Sequence, residues 1–205
     1  MLIATLRFRD AAVPLRSLVL TVRCFAALAL SDSAREALAR AILPFRERDW
    51  PVRWVPVEGA HVTLKFYGEV NEDRVDAIAE SLDYAADGIG ALPLVLTGFG
   101  AFPRPERPRV FFAAVEAPSA LELMQDRIET RAEALDHPSE GTIFHPHVII
   151  GRVREGARVS QAEAGELLAA PLHAGFTADR VVLYQSRLGA GGAHYTPLHE
   201  AMLTR

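Results

Sequence analysis

The sequence predicts an α+β fold built on antiparallel or mixed sheets. Three observations lead there: strand-like segments arrive in adjacent pairs, helical segments with capping signals separate the pairs, and no linker is long enough to divide the 205 residues into independent domains. A doubly wound parallel sheet would instead alternate single strands with single helices.

Residues 1–21 scatter Arg7, Arg9, Asp10 and Arg16 among apolar side chains and read as an extension, with the folded domain expected over 22–205. A secretory leader fits poorly, because Arg23 would fall inside its apolar stretch. Arg23 to Leu30 reads as a strand. Ser33 with Glu36 three residues on is a capping-box signature, opening a helix that carries Leu38 and Ile42 and is expected to stop at Pro44. Short strands are expected at Val52 to Val57 and Ala60 to Tyr67, after which Asn71 caps a helix with Val75, Ile78 and Leu82 on one face, ending at Gly88. Strands at Leu92 to Phe99 and Arg109 to Glu116 flank a loop rich in proline and arginine. Ser119 with Glu122 opens a helix bearing Met124, Ile128 and Leu135, and a strand from Phe144 to Val153 follows. Ser160 with Glu163 repeats the capping box, and strands at Ala178 to Leu188 and His194 to Leu203 finish the chain around a Gly189 to Gly192 turn.

Composition narrows the function. Half of the residues are hydrophobic, which excludes a disordered chain, and no run approaches the roughly 18 uncharged apolar residues of a membrane-spanning helix. A single Cys24 provides neither an internal disulfide nor a cysteine-rich metal site, so a reducing, cytoplasmic setting is expected and Cys24 is read as a core residue. A net charge of −4 excludes an overall basic field, so any contact with nucleic acid must be local.

Chemistry concentrates in two segments, His61-Val62-Thr63-Leu64-Lys65-Phe66 and His147-Val148-Ile149-Ile150-Gly151-Arg152, whose histidines lie 147 − 61 = 86 residues apart. Strand alternation places His61, Thr63 and Lys65 on one face and Val62, Leu64 and Phe66 on the other. By the same rule Arg152 falls on the wrong face from His147 unless the strand bulges. One histidine in a strand is ordinarily structural. Two in matched contexts suit general acid-base catalysis, which needs groups that titrate near neutral pH. His145 and His147 also have a metal-ligand spacing, but no third ligand sits at a recognisable offset, and no metal or other cofactor is expected.

Further blocks accompany the histidines: Arg23-Cys24-Phe25-Ala26-Ala27-Leu28, Val52-Arg53-Trp54-Val55-Pro56, Phe99-Gly100-Ala101-Phe102-Pro103, Phe144-His145-Pro146-His147, and Ser186-Arg187-Leu188 with Gly191-Gly192-Ala193-His194-Tyr195-Thr196-Pro197-Leu198. In order and spacing they resemble the RNA 2′,3′-cyclic phosphodiesterase family, also called 2′-5′ RNA ligases, of the 2H phosphoesterase superfamily. The resemblance implies a bilobal fold with pseudo-twofold symmetry and a central cleft flanked by the two histidine strands. It further implies a metal-independent hydrolase that opens 2′,3′-cyclic phosphates to 2′-phosphates, with 2′-5′ ligation as a further activity. By similarity His61 is the proton donor and His147 the proton acceptor. Thr63, Lys65 and Arg152 are expected to hold phosphate, and Tyr67, Phe99, Phe102, Arg104, Arg107 and Arg109 to contact RNA. Substrates would be RNA ends or small cyclic nucleotides, with a monomer expected, no obligate protein partner and no membrane. Ile149 departs from the family pattern, which has Thr or Ser there. It donates no hydrogen bond, so a weakly active or noncatalytic RNA- or nucleotide-binding protein is the alternative.

Overall fold

The computed structural model describes residues 20–139, 141–189 and 192–204. In chain order its elements are β1 (Thr21–Ala29), α1 (Asp32–Arg46), β2 (Val52–Trp54), β3 (His61–Asn71), α2 (Val75–Ala86), β4 (Leu92–Phe102), β5 (Val110–Glu116), α3 (Ser119–Ala134), β6 (His147–Val153), α4 (Gln161–Leu168), β7 (Ala174–Ala178), β8 (Arg180–Gly189) and β9 (Gly192–Met202). The extension expected over residues 1–21 lies outside the described residues as far as residue 19. Thr21 pairs with Asn71, and the Leu20 carbonyl accepts from the Glu72 N–H, so the sheet takes in these two positions.

Two sheets form, ordered β3-β1-β8-β9 and β2-β6-β5-β4-β7, and every pairing is antiparallel. The α+β, two-lobed architecture is as expected. α2 and α3 pack on each other and cover the first sheet, while α1 packs against β7 and α4 against β4 of the second. One continuous apolar core runs through both lobes and includes Leu28, Leu38, Val62, Ile78, Phe111, Ile128 and Val148.

Several element ends differ from the sequence reading. The cap of α1 is Ser31, whose hydroxyl accepts from the Ala34 N–H; Ser33 lies too late, inside the helix. Pro44 does not stop α1. It removes one donor near the helix end, and the Glu47 N–H closes the last turn on the Leu43 carbonyl. Asn71 precedes a short 3₁₀ turn rather than α2 itself, and makes no side-chain cap. The Ser160–Glu163 capping box is present as expected. The strand read from Ala178 to Leu188 is β8, starting at Arg180; β7, ending at Ala178, is not among the expected strands and enters the other sheet.

The lobes repeat each other to the level of single residues. In the β1–β3 ladder Ala29 faces His61, Leu28 faces Val62 and Ala27 faces Thr63; Leu64 is then an extra residue, after which Ala26 faces Lys65 and Phe25 faces Phe66. In the β5–β6 ladder Ala114 faces His147, Ala113 faces Val148 and Phe112 faces Ile149; Ile150 is extra, and Phe111 faces Gly151 and Val110 faces Arg152. Each histidine strand therefore carries a bulge at the fourth residue of its motif, which reverses the side-chain alternation beyond it.

Candidate active site

β3 and β6 approach each other across the lobes, and His147 lies close enough to His61 for its charge to act there. Each ring is anchored in the same way: His61 Nδ1 lies 2.6 Å from the Gly59 carbonyl and His147 Nδ1 lies 2.7 Å from the His145 carbonyl. A carbonyl can only accept, so both Nδ1 atoms carry the proton and both Nε2 atoms are left free to exchange one. Burial, reinforced by the nearby His147, pushes the His61 pKa below the ordinary imidazole value, and the bond to Gly59 only partly offsets this. His61 is therefore neutral at pH 7.

Aromatic rings brace both imidazoles. His61 lies 4.7 Å from Phe25 and edge-on to Tyr195 at 5.1 Å; His147 lies 5.2 Å from Phe102 and 5.4 Å from Phe112, and these two phenyl rings stack at 4.4 Å. Gly100 makes room for this stack, since a Cβ there would come within 2.2 Å of Phe112 Cζ. The cleft beside His61 encloses about 600 Å³ and is lined by Arg53, Trp54, Arg152, Tyr184 and Tyr195 among others.

The bulges sort the remaining candidates. Thr63 precedes the bulge and stays on the His61 face, half-buried. Lys65 follows it and turns away from the cleft: the residue is 4% exposed, and its ammonium lies 2.6 Å from Glu129 Oε2 on α3 and also donates to the Pro138 carbonyl. The expectation that Lys65 shares a face with His61 and holds phosphate is thus corrected. Phe66 takes the cleft-side direction instead, with the Arg23 guanidinium 4.6 Å above its ring. In β6 the bulge works in the opposite sense, carrying the exposed Arg152 onto the His147 face and into the cleft. Gly151, the counterpart of Lys65, pairs with Trp54 of β2, and a Cβ there would meet Val52 at 2.7 Å and Trp54 at 3.1 Å.

Of the expected RNA contacts, Tyr67 is 6% exposed in the core and Phe99 packs half-buried against that core, so neither offers a face for stacking a base. Phe102 is at the site, as a wall of the His147 pocket. Arg104, Arg107 and Arg109 line a separate cavity. Cys24 is fully buried and its thiol is pushed up to about 11 by burial and the Glu69 charge, consistent with a core role.

The sequence reading missed Arg53, Trp54, Tyr184 and Tyr195. Arg53 faces Arg152 directly across the β2–β6 ladder. Like charges in directly opposed positions repel, so an anion placed between them would relieve that cost. The strand Val52 to Val57 contained the signal, but only the pairing of β2 with β6 gives Arg53 its partner.

Comparison with known proteins identifies the family and the fold. The family model described as LigT like Phosphoesterase matches residues 28–112. A Thermotoga maritima protein named RNA 2′,3′-cyclic phosphodiesterase is 31% identical over 180 residues, covering 87% of this chain and 94% of that protein. The chain belongs to the LigT-like phosphoesterase family. A crystal structure from Thermus thermophilus shares the fold at a TM-score of 0.75 and 26% identity, covering 88% of this chain and 97% of its own. E. coli LigT, solved in complex with 3′-AMP, superposes over 91% of this chain and 100% of its own at a TM-score of 0.72 and 21% identity, which speaks to the fold alone.

Proposed function

We propose that this LigT-like phosphoesterase hydrolyses RNA 2′,3′-cyclic phosphates to 2′-phosphates by acid-base catalysis between His61 and His147. The observation that carries the reading is the matched anchoring of the two rings, each with Nδ1 fixed to a backbone carbonyl and Nε2 left free, on two strands that approach each other. The name of the Thermotoga maritima relative supports the substrate class.

In the reaction, water attacks phosphorus opposite the P–O3′ bond. His147 Nε2 takes the water proton as the P–O bond forms, and protonated His61 gives its Nε2 proton to the departing O3′, leaving a 2′-phosphate and a free 3′-hydroxyl. Burial makes the His61 imidazolium a stronger acid than a free one, which suits protonation of an alkoxide. Thr63, on the His61 face of β3, and the Arg53–Arg152 pair in the cleft would donate to the nonbridging oxygens, whose charge is the main quantity to stabilise in phosphoryl transfer. No step calls on a metal. A 5′-hydroxyl in the place of water would join two ends by a 2′-5′ linkage on the same residues. We further propose that the enzyme works as a cytoplasmic monomer and that residues 1–19 are dispensable for it.

The test is to incubate the protein with a 2′,3′-cyclic nucleotide in EDTA and identify the product. A 2′-monophosphate is expected. No turnover, with the nucleotide still bound, would favour the binding-protein alternative that Ile149 raises. Role assignment follows from a substrate with sulfur at the 3′ bridging position, whose thiolate leaves without a proton: it should rescue His61→Ala and not His147→Ala.

A further inference from the structure

Away from the histidines, the β4–β5 loop and the β6–α4 loop come together around a cavity of about 640 Å³, lined by Arg104, Arg107, Arg109 and Arg158. Arg109 Nη1 donates to the Ala157 carbonyl at 3.1 Å and ties the two loops to each other. No carboxylate among the described residues forms an ion pair with any of the four guanidinium groups; the acids nearby are Glu106, which lines an adjoining hollow with Arg104 and Arg107, and Glu155. Four clustered cations in a chain of net charge −4 form a local field that the overall composition conceals.

The cavity is open and larger than one phosphate needs, and it does not stand alone. A hollow of about 340 Å³ lined by Arg53, Arg152 and Arg154 lies beside the start of β5, where Val110 faces Arg152 and the Arg109 carbonyl accepts from the Val153 N–H. Arginine therefore continues from the catalytic cleft, through Arg53 and Arg152, to Arg109 and Arg158. The four-arginine cavity shares no lining residue with the cleft that contains His61, Arg53 and Arg152. A phosphate held there is bound by residues other than those that line the cleft beside His61.

We propose that this cavity binds the phosphodiester backbone of single-stranded RNA on the 5′ side of the cyclic end, an inference that rests on the hydrolase reading above. A 2′,3′-cyclic phosphate closes the 3′ end of its strand, so all the remaining chain lies on the 5′ side and must leave the cleft in one direction. A discontinuous row of guanidinium forks suits a flexible chain of phosphates, each fork taking two oxygens, and carries no demand on base sequence. Arg158 belongs to the site although it lies about 50 residues from Arg107 in the chain (158 − 107 = 51), because the β6–α4 loop folds back beside the β4–β5 loop.

The experiment compares kcat/KM for a 2′,3′-cyclic mononucleotide with that for an eight-residue oligoribonucleotide carrying the same cyclic end, for the wild type and for Arg107→Ala/Arg158→Ala. Both side chains are exposed on loops and make no structural hydrogen bond among the described residues, and melting temperature verifies the fold. The wild type should prefer the oligonucleotide, and the double variant should lose roughly tenfold of that ratio, mainly in KM. The slope of log binding constant against log salt for the oligonucleotide should fall by about 1.4, from two lost phosphate contacts on a single strand. An unchanged ratio and slope would overturn the RNA track while leaving the hydrolase reading intact. If neither substrate is turned over, the hydrolase reading fails and anisotropy of the labelled oligonucleotide decides the track by the same slope. Equal competition by a polyglutamate peptide of matched charge would also overturn it, in favour of an acidic protein partner.

Discussion

The two histidine strands share register, ring anchoring and bulge, yet they use the residues after the bulge differently. In β3 the bulge sends Lys65 into the layer between sheet and helices, where it pairs with Glu129, and leaves Phe66 toward the cleft. In β6 the same bulge buries a glycine against the Val52 and Trp54 side chains of β2 and leaves Arg152 toward the cleft. The difference teaches that the duplicated backbone fixes directions, whereas the function of each half depends on what fills them: β3 contributes a hydroxyl at Thr63 without a cation, and β6 contributes a cation at Arg152 without a hydroxyl.

The largest effects should come from what the halves have in common. His61→Ala and His147→Ala are each expected to lower kcat by about 10³-fold or more with the fold preserved, and the double variant should be scarcely worse, because the two rings act as a unit. Full activity in either single variant would remove that histidine from the mechanism. With His61 as donor, the rate should fall as pH rises through the His61 pKa, which lies below the free value of about 6.5. Stability runs the other way: a buried neutral His61 contributes above about pH 6.5 and that contribution is lost as pH falls toward the lowered value, so His61→Gln should flatten the acid side of a melting-temperature profile.

Next come the residues that distinguish the halves. Arg152→Gln should cost about 10²-fold in kcat as a lost donor to phosphate, whereas Phe66→Ala, at the matching position, should change it little. Equal losses would mean that the two positions are functionally equivalent despite their chemistry. Ile149→Thr should make the halves more alike and raise kcat several-fold, at a stability cost of about 1 kcal/mol, measured by denaturant unfolding beside saturating kinetics. An unchanged rate would place residue 149 outside the reach of the phosphate. The smallest effect on rate belongs to Lys65→Met. It should leave kcat within about twofold while destabilising the fold by roughly 1–3 kcal/mol, through loss of the Glu129 partner. A hundredfold loss of kcat in a folded protein would restore Lys65 to the phosphate site.

The histidines and their matched contexts were legible because a two-residue period and a repeated motif are local properties. The directions of Lys65, Phe66 and Arg152 were not, since each depends on one extra residue in a strand, and a bulge is defined by the partner strand rather than by its own sequence. The same limit hid Arg53 and Arg158, whose significance lies in what stands opposite. Ser31 and Ser33 show the limit at short range: both are good caps, and the choice between them is made by where β1 ends and α1 can dock.

The order in which the chain visits the two sheets has a mechanical consequence. β1 lies in the first sheet, β2 in the second, β3 in the first, β4 to β7 in the second, and β8 and β9 in the first again, so the backbone crosses between lobes four times. A pair of lobes joined by one or two strands can swing about a hinge, but four crossings distributed through a shared core act as four struts, and rotation about any one of them is opposed by the others. The gap between the two imidazoles is accordingly set when the protein folds rather than when the ligand arrives, and access to it is governed by the loops at the rim.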